Sequence, residues 1–391
     1  MVSPCSQKSV VLDPFMGSGT ILFESARRSL RCYGADIHPA AVIMASSVQF
    51  ANMERSQRAK YLHSAQALLE RYLPPPQFGG LFWELDQIAL LDAPQTDDAL
   101  HALLAEAKEK AEPLFYILAN VVIQALTSDI AGGTNAFLRA FQQQKALIET
   151  LPFSSLPCVA LHHDARDLPL ESGALDLIVT SPPYINVFNY HQNYRAAMEY
   201  MGWDMLRIAK SEFGSNRKNR GNRFLTVVQY MLDMLQSLRE MRRVLRPSGR
   251  LIIVVGRTSS IRGISFQNGR IVGTLALGAA GMRLERRQER VFKTKFGETI
   301  YEDILIFTPD ERHSTLRDES NMIAYELARI VLAEALIAAK EEVQPDILMA
   351  IRQASQVQPS PYFKALKLKN QGFIAATWYN PDEALHRGSF I

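Results

Sequence analysis

Two short runs hold the residue types that could do chemistry. The first, Asp13-Pro14-Phe15-Met16-Gly17-Ser18-Gly19-Thr20, follows the apolar run Val10-Val11-Leu12 and leads into a helical stretch. A strand-to-helix turn is where an open α/β sheet holds its ligand, and glycines at 17 and 19 let the backbone approach a bound group closely. Asp36 closes the next apolar run, the place where an acidic residue of nucleotide-binding folds accepts from ribose hydroxyls. The second run, Ser181-Pro182-Pro183-Tyr184, ends the apolar stretch Leu175 to Thr180. Two consecutive prolines fix the backbone and remove two N–H donors, so the corner is stiff. A hydroxyl before it and an aromatic ring after it suit a flat substrate carrying an amino group. Tyr184 can stack on the ring while Ser181 and the Pro182 carbonyl accept from the amine.

Three loop chemistries compete for the first run. A Walker phosphate loop needs a lysine after its last glycine, and none follows Gly19. A dinucleotide fingerprint needs a third small residue where Leu22 stands. What remains is a cradle of the adenosylmethionine type, with Asp164-Ala165 placed beside the adenine. The plainer alternatives are a tight turn at Gly17 and Gly19, an Asp36 that caps the helix beginning at Pro39, and turn-capping by Asp164 or Asp167. Ser-Pro-Pro-Tyr in isolation is often an ordinary turn. His162 and His163 read as surface residues, and Cys5, Cys32 and Cys158 lack metal-ligand spacing, so no metal is expected.

The elements that must position these residues alternate between short β-branched runs and helical stretches, the sign of βαβ units and a parallel sheet. Strands are predicted at Ser9–Leu12, Arg31–Asp36, Cys158–Leu161, Leu175–Thr180 and Arg250–Val255. Glu289–Phe292 and Asp303–Phe307 close the sheet as an antiparallel edge. Helices are predicted from Thr20 to Leu30, Pro39 to Met53 and Phe224 to Leu245, the last stopped by Pro247-Ser248-Gly249. Residues 56–153 read as an inserted helical subdomain, since a structureless loop of that length is unusual in a compact fold. The catalytic domain is then 1–55 with 154–310, and 311–391 is a C-terminal helical extension with a packed helix over Ser320–Glu342.

With 43 basic and 40 acidic residues in 391, the formal charge is +3, which excludes a polycationic coating protein. The longest apolar run, Pro113 to Leu126, is shorter than the ~20 residues of a membrane span, and the N-terminus does not read as a signal peptide. A cytoplasmic, soluble protein is expected, with no membrane partner. Charge is concentrated locally: Gly214 to Arg223 carries Arg217, Lys218, Arg220 and Arg223 and no acid, a loop suited to phosphates and base edges. A solvated loop is the alternative. Arg239, Arg242, Arg243, Arg246 and Arg250 read equally well as a water-facing side that offsets Glu240, and the group from Arg283 to Lys295 is a weaker candidate, diluted by Glu285 and Glu289.

Taken together these residues resemble the amino-methyltransferases of exocyclic nucleobase nitrogens, the DNA N4-cytosine/N6-adenine class, over most of Val10 to Pro309. Ser181 at the head of the tetrad is similar to the N4-cytosine members; adenine enzymes more often carry Asp there, and glutamine-modifying relatives Asn. The continuation Ile185 to His191 with Tyr194-Arg195 is similar to a bacterial subgroup of DNA methylases. The resemblance implies a doubly wound, mostly parallel, Rossmann-like sheet of seven strands with a reversed last hairpin, and S-adenosyl-L-methionine as cofactor. It implies that Phe15, Gly17 and Gly19, within Asp13 to Thr20 and alongside Ser18, line the methionine and ribose side. Asp36 would meet the ribose and Asp164-Ala165 the adenine. Ser181, Pro182, Pro183 and Tyr184 would hold a base flipped out of DNA. The alternatives are N6-adenine in DNA, guanine N2 in RNA, and a catalytically silent nucleic-acid-binding relative. About eight residues precede the first strand, so the segment after Ser314 is expected to supply the wall that a preceding helix gives in this family, unless the chain is a truncated form.

Overall fold

The computed structural model describes residues 9–74, 94–127, 133–185, 192, 194–215, 221–294, 297–310 and 320–364. Strands β1 (Val10–Asp13), β2 (Arg31–Asp36), β3 (Cys158–His162), β4 (Leu175–Thr180), β5 (Leu245–Gly256), β8 (Met282–Lys293) and β9 (Thr299–Pro309) form one sheet in the order β3-β2-β1-β4-β5-β9-β8. The first five are parallel, and β9 runs antiparallel to both its neighbours. The order reverses between β1 and β4, so the carboxyl ends of these two strands flank the crevice where doubly wound sheets bind ligands.

Side chains of the inner strands alternate between two cores, as strand geometry requires. Leu12, Tyr33, Ala35, Val159 and Leu161 face one layer; Val11, Cys32, Cys158 and Ala160 face the other. The second layer holds α1 (Thr20–Arg27) and α2 (Pro39–Ser46), the crossovers of the first three strands. The first holds α9 (Leu225–Val244) and α10 (Asn268–Ala279), the crossovers after the reversal. The fold is therefore a doubly wound α/β sheet with helices on both faces.

The insertion comprises α3 (Arg55–Tyr72), α4 (Pro94–Lys110), α5 (Glu112–Thr127) and α6 (Gly133–Thr150). It does not build a core of its own. Leu68, Leu103, Ile117 and Phe141 join the same apolar cluster as Leu22, Cys32 and Ile43. Polar residues fix the junction: Asn120 of α5 donates to the Ile43 carbonyl of α2 at 2.9 Å, and the buried Arg58 of α3 donates to Met53 and Pro152 carbonyls at 2.8 and 3.1 Å. The C-terminal segment is likewise integral. Ala328 and Leu332 of α11 (Ser320–Ile337) and Ile347 of α12 (Gln344–Gln353) lie in the core with α9 and α10.

Several expected boundaries shift. The second helix ends at Ser46 and tightens into a 3₁₀ turn, Ser47–Asn52. α9 passes into β5 at Leu245, with Arg246 to Gly249 forming an irregularity opposite Leu175–Leu177. The closing hairpin is longer than expected, twelve and eleven residues. The hairpin of β6 (Thr258–Ile261) and β7 (Ile264–Gln267), together with α10, is an addition to the expected elements. Two short helices, α7 (Arg195–Tyr200) and α8 (Met205–Ile208), follow the Pro-Pro corner. No helix among the described residues is long and apolar enough to cross a membrane.

Candidate functional site

A cavity of about 440 Å³ opens at the carboxyl ends of β1, β2 and β4 and takes in Phe15, Gly17, Ser18, Asp36, Ala165 and Ser181 among its walls. Asp36 ends β2. One of its oxygens accepts from the Gly17 N–H at 3.1 Å, the other from the His38 N–H at 2.8 Å. Burial raises its carboxyl to about 6, against the lowering pull of the His38 and Gly17 amides. Each oxygen keeps lone-pair capacity, since a carboxylate accepts about four hydrogen bonds. Gly17 adopts a φ of +49°, and a Cβ built on it meets nothing within 4 Å. The cradle is thus open where a ligand would lie. Phe15 stands edge-on to Phe213, ring centroids 5.4 Å apart, as an aromatic wall.

Gly19, Thr20 and Asp13 of the same run are not among the residues that line the cavity. Gly19, at φ +90°, would place a Cβ 2.9 Å from that of Ala45, so its role is to let the loop pack on α2. Thr20 is the exposed first residue of α1. Asp13 is 5% exposed and accepts from the Thr180 hydroxyl at 2.6 Å and the Phe15 N–H at 3.1 Å. Burial raises the Asp13 carboxyl to about 7, opposed by those two bonds and reinforced by the Asp36 charge. It therefore links the cradle loop to the residue that precedes Ser181.

Asp164 also lines the cavity, and its acceptor capacity is already taken by the protein's own donors. One oxygen accepts from the Arg166 N–H and Nε at 3.0 and 2.9 Å, the other from Arg166 Nη2 at 2.7 Å and the Phe363 N–H at 2.9 Å. The Arg166 side chain is fully buried and pairs also with Asp233 at 3.1 Å. Asp233 in turn accepts from the N–H groups of Gly214 and Ser360 at 2.9 and 2.7 Å. Burial raises the Asp233 carboxyl to about 6, held back by Arg166 first, then by these amides and the Ser360 hydroxyl. Arg166 donates to the carbonyls of Ser360 and Pro361 at 2.8 and 3.0 Å. The knot fastens a C-terminal strap, residues 357–364, beside the cavity. Arg166, Asp233 and Ser360 were not singled out from the sequence. The available signal was the polar stripe Gln229, Asp233, Ser237 at helical spacing, all at 0% exposure within α9.

The corner Ser181 to Tyr184 follows β4. Ser181 and Pro183 line the cavity, whereas Tyr184 lies outside it, its ring over Gly256 at the end of β5. A Cβ at Gly256 would come within 3.0 Å of that ring, so glycine is needed for the ring to lie there. Ser181 Oγ and Tyr184 Oη are 3.5 Å apart. The buried Tyr230 of α9 donates to the Pro183 carbonyl at 3.0 Å and fixes the corner from below. Pro182's carbonyl receives no hydrogen bond among the described residues.

His162 is not a surface residue. Its Nε2 is 2.9 Å from the Ile37 carbonyl, and its ring packs on Trp203 and Phe363 at 5.3 and 4.5 Å. Burial lowers its pKa to about 4, so it is neutral at physiological pH. Among the described residues no group of three His, Cys, Asp or Glu is placed to hold a metal. Arg217, Lys218 and Arg220 lie outside the described residues; Arg223 is exposed.

No family model and no curated protein matches the chain. Solved structures that resemble it include a SAM-dependent methyltransferase from Methanosarcina mazei, 11% identical, covering 78% of this chain and 94% of that one with a TM-score of 0.35. A TehB-like SAM-dependent methyltransferase from Corynebacterium glutamicum is 12% identical over 78% and 83%, TM-score 0.29. The rRNA methyltransferase aviRa from Streptomyces viridochromogenes is 14% identical over 77% and 78%, TM-score 0.26. The fold assignment rests on the strand order and on which face each crossover covers.

Proposed function

We propose that this chain is an S-adenosyl-L-methionine-dependent methyltransferase acting on the exocyclic N4 of cytosine in DNA. The observation that carries the reading is the rigid Ser181-Pro182-Pro183-Tyr184 corner, whose Ser181 and Pro183 line the Asp36 cavity and whose Pro182 carbonyl receives no hydrogen bond among the described residues. The cavity suits a nucleoside: a glycine cradle open to a ligand, a carboxylate with spare acceptor capacity for ribose hydroxyls, and a wall of Phe15 and Phe213. When bound, S-adenosyl-L-methionine supplies an electrophilic methyl group on its sulfonium.

The chain's own residues orient the acceptor. An aromatic amine delocalises its lone pair into the ring. Acceptance of its two N–H bonds by the Ser181 hydroxyl and the Pro182 carbonyl draws the nitrogen towards a tetrahedral shape with the lone pair aimed into the cavity. Tyr184, braced on Gly256, stacks on the base, and Tyr230 stops the corner from moving. Positioning and fixed dipoles of this kind account for rate without a protein nucleophile. A base inside a duplex cannot reach such a corner and must be flipped out. The basic run with Arg217, Lys218, Arg220 and Arg223 follows the corner in sequence, and its charge suits the DNA phosphates.

Incubation with labelled S-adenosyl-L-methionine and either DNA or RNA, followed by nucleoside mass analysis, tests the proposal. N4-methylcytosine in DNA is expected. Label confined to N6-methyladenine or to RNA guanosine contradicts the cytosine assignment, and no label in any nucleic acid contradicts the activity.

A further inference from the structure

Beside the cofactor cavity lies a second hollow of about 290 Å³. Trp203, Arg207 and Lys210 wall it on one side; Tyr362, Phe363 and Lys364 of the C-terminal strap wall it on the other. The two cavities are neighbours across one stretch of chain: Ser211 faces the hollow, and Glu212 and Phe213 face the cofactor cavity. The strap that completes the hollow is anchored by Arg166 and Asp233, so its wall is a built feature.

Two properties of this hollow point the same way. Its walls include the rings of Trp203, Tyr362 and Phe363, and the ring of Phe363 is held by its contact with His162. Trp203 is 8% exposed and its Nε1 is closed to solvent, so it serves the hollow as a ring wall. Around the rim Arg207, Lys210 and Lys364 form no ion pair among the described residues. Among the described lining residues one acid, Asp204, faces these three cations, and it caps α8 by accepting from the Arg207 N–H at 3.0 Å.

A purely apolar ligand leaves the three cations unused, a cationic one is repelled, and a bare inorganic anion leaves the rings uncovered. A planar heteroaromatic ring with a phosphate uses both. We infer that this hollow is a nucleotide-binding site, distinct from the cofactor cavity, in which a base lies against the aromatic rings and Arg207, Lys210 and Lys364 hold the phosphate. The same chemistry is offered by a free mononucleotide and by a nucleotide within a single strand of nucleic acid. Aromatic platforms flanked by cations serve both.

Calorimetric titration of the full chain with AMP, with inorganic phosphate and with a short single-stranded oligonucleotide tests the site. AMP is expected to bind, and phosphate alone to bind much more weakly. Arg207→Gln and Lys210→Gln, both exposed changes that leave the core intact, should each weaken AMP by about ten-fold, the worth of one charge-assisted contact. Asp36→Asn, in the cofactor cavity, should leave this binding event in place. Competition by the oligonucleotide identifies nucleic acid as the source of the ligand, and AMP binding without such competition identifies the free nucleotide; both support the site. Absence of AMP binding overturns the inference. So does binding that Asp36→Asn abolishes while Arg207→Gln and Lys210→Gln leave it unchanged, and so does phosphate binding as tight as AMP.

Discussion

Asp36 and Asp164 line the same cavity, yet the fold commits them to different ends. Asp36 meets two backbone amides and keeps lone pairs for a ligand. Asp164 accepts four hydrogen bonds, three of them from Arg166, and so fastens the strap and the loop behind the cavity. Residue type and proximity do not decide which acid binds a ligand; spare acceptor capacity does. The same contrast runs through the Pro-Pro corner, where the Pro183 carbonyl is engaged by Tyr230 and that of Pro182 accepts from none of the described residues.

The largest effect is expected at the knot. Arg166→Met leaves Asp164 and Asp233 buried without their cation, which costs about 3–5 kcal/mol. Urea unfolding should show that loss, and a change below about 1 kcal/mol, the scale of an exposed pair, would mean the knot does not hold the strap. A smaller effect separates the acids by pH. The Asp36 carboxyl is raised from 3.8 to about 6, and only its ionised form accepts from both ribose hydroxyls. Cofactor affinity should therefore hold above pH 6 and fall by up to about ten-fold per unit below it. Asp36→Asn should flatten that profile. The stability sign is opposite: a carboxyl raised by folding favours the folded state below its unfolded value, and that contribution is lost as pH rises through its folded value. For Asp13, raised from 3.8 to about 7, Asp13→Asn should thus make the protein less sensitive to pH between 4 and 7, read as the thermal midpoint. The smallest effect belongs to Tyr230→Phe, which removes one hydrogen bond worth about 1 kcal/mol. It should lower kcat for methyl transfer while leaving cofactor affinity unchanged, and an equal loss in both would place Tyr230 in the general core.

The frame was legible because β1, β2 and β4 are short apolar runs ending in Asp13, Asp36 and Thr180, each followed by a turn with its own chemistry. The β6–β7 hairpin escaped notice because its two-residue turn is Arg262-Gly263, both at positive φ, without the asparagine or aspartate that usually marks such a turn. α10 is masked by Gly269, Gly273 and Gly278, poor helix formers, although Ile271, Val272, Leu275 and Ala276 keep helical spacing. At the site, the cradle and the corner read directly from residue order. The division of labour between Asp36 and Asp164 did not, because the Arg166 that occupies Asp164 is itself held by Asp233 and Ser360, 67 and 194 residues away. Sequence spacing has no way to express a partner that distant.

The most direct measurement is calorimetric titration of S-adenosyl-L-methionine into the wild-type chain and into Asp36→Asn. The account predicts one equivalent bound to the wild type and a loss of about 3 kcal/mol in the variant, two charge-assisted hydrogen bonds. A wild type that does not bind, or a variant that binds as tightly as the wild type, would contradict it.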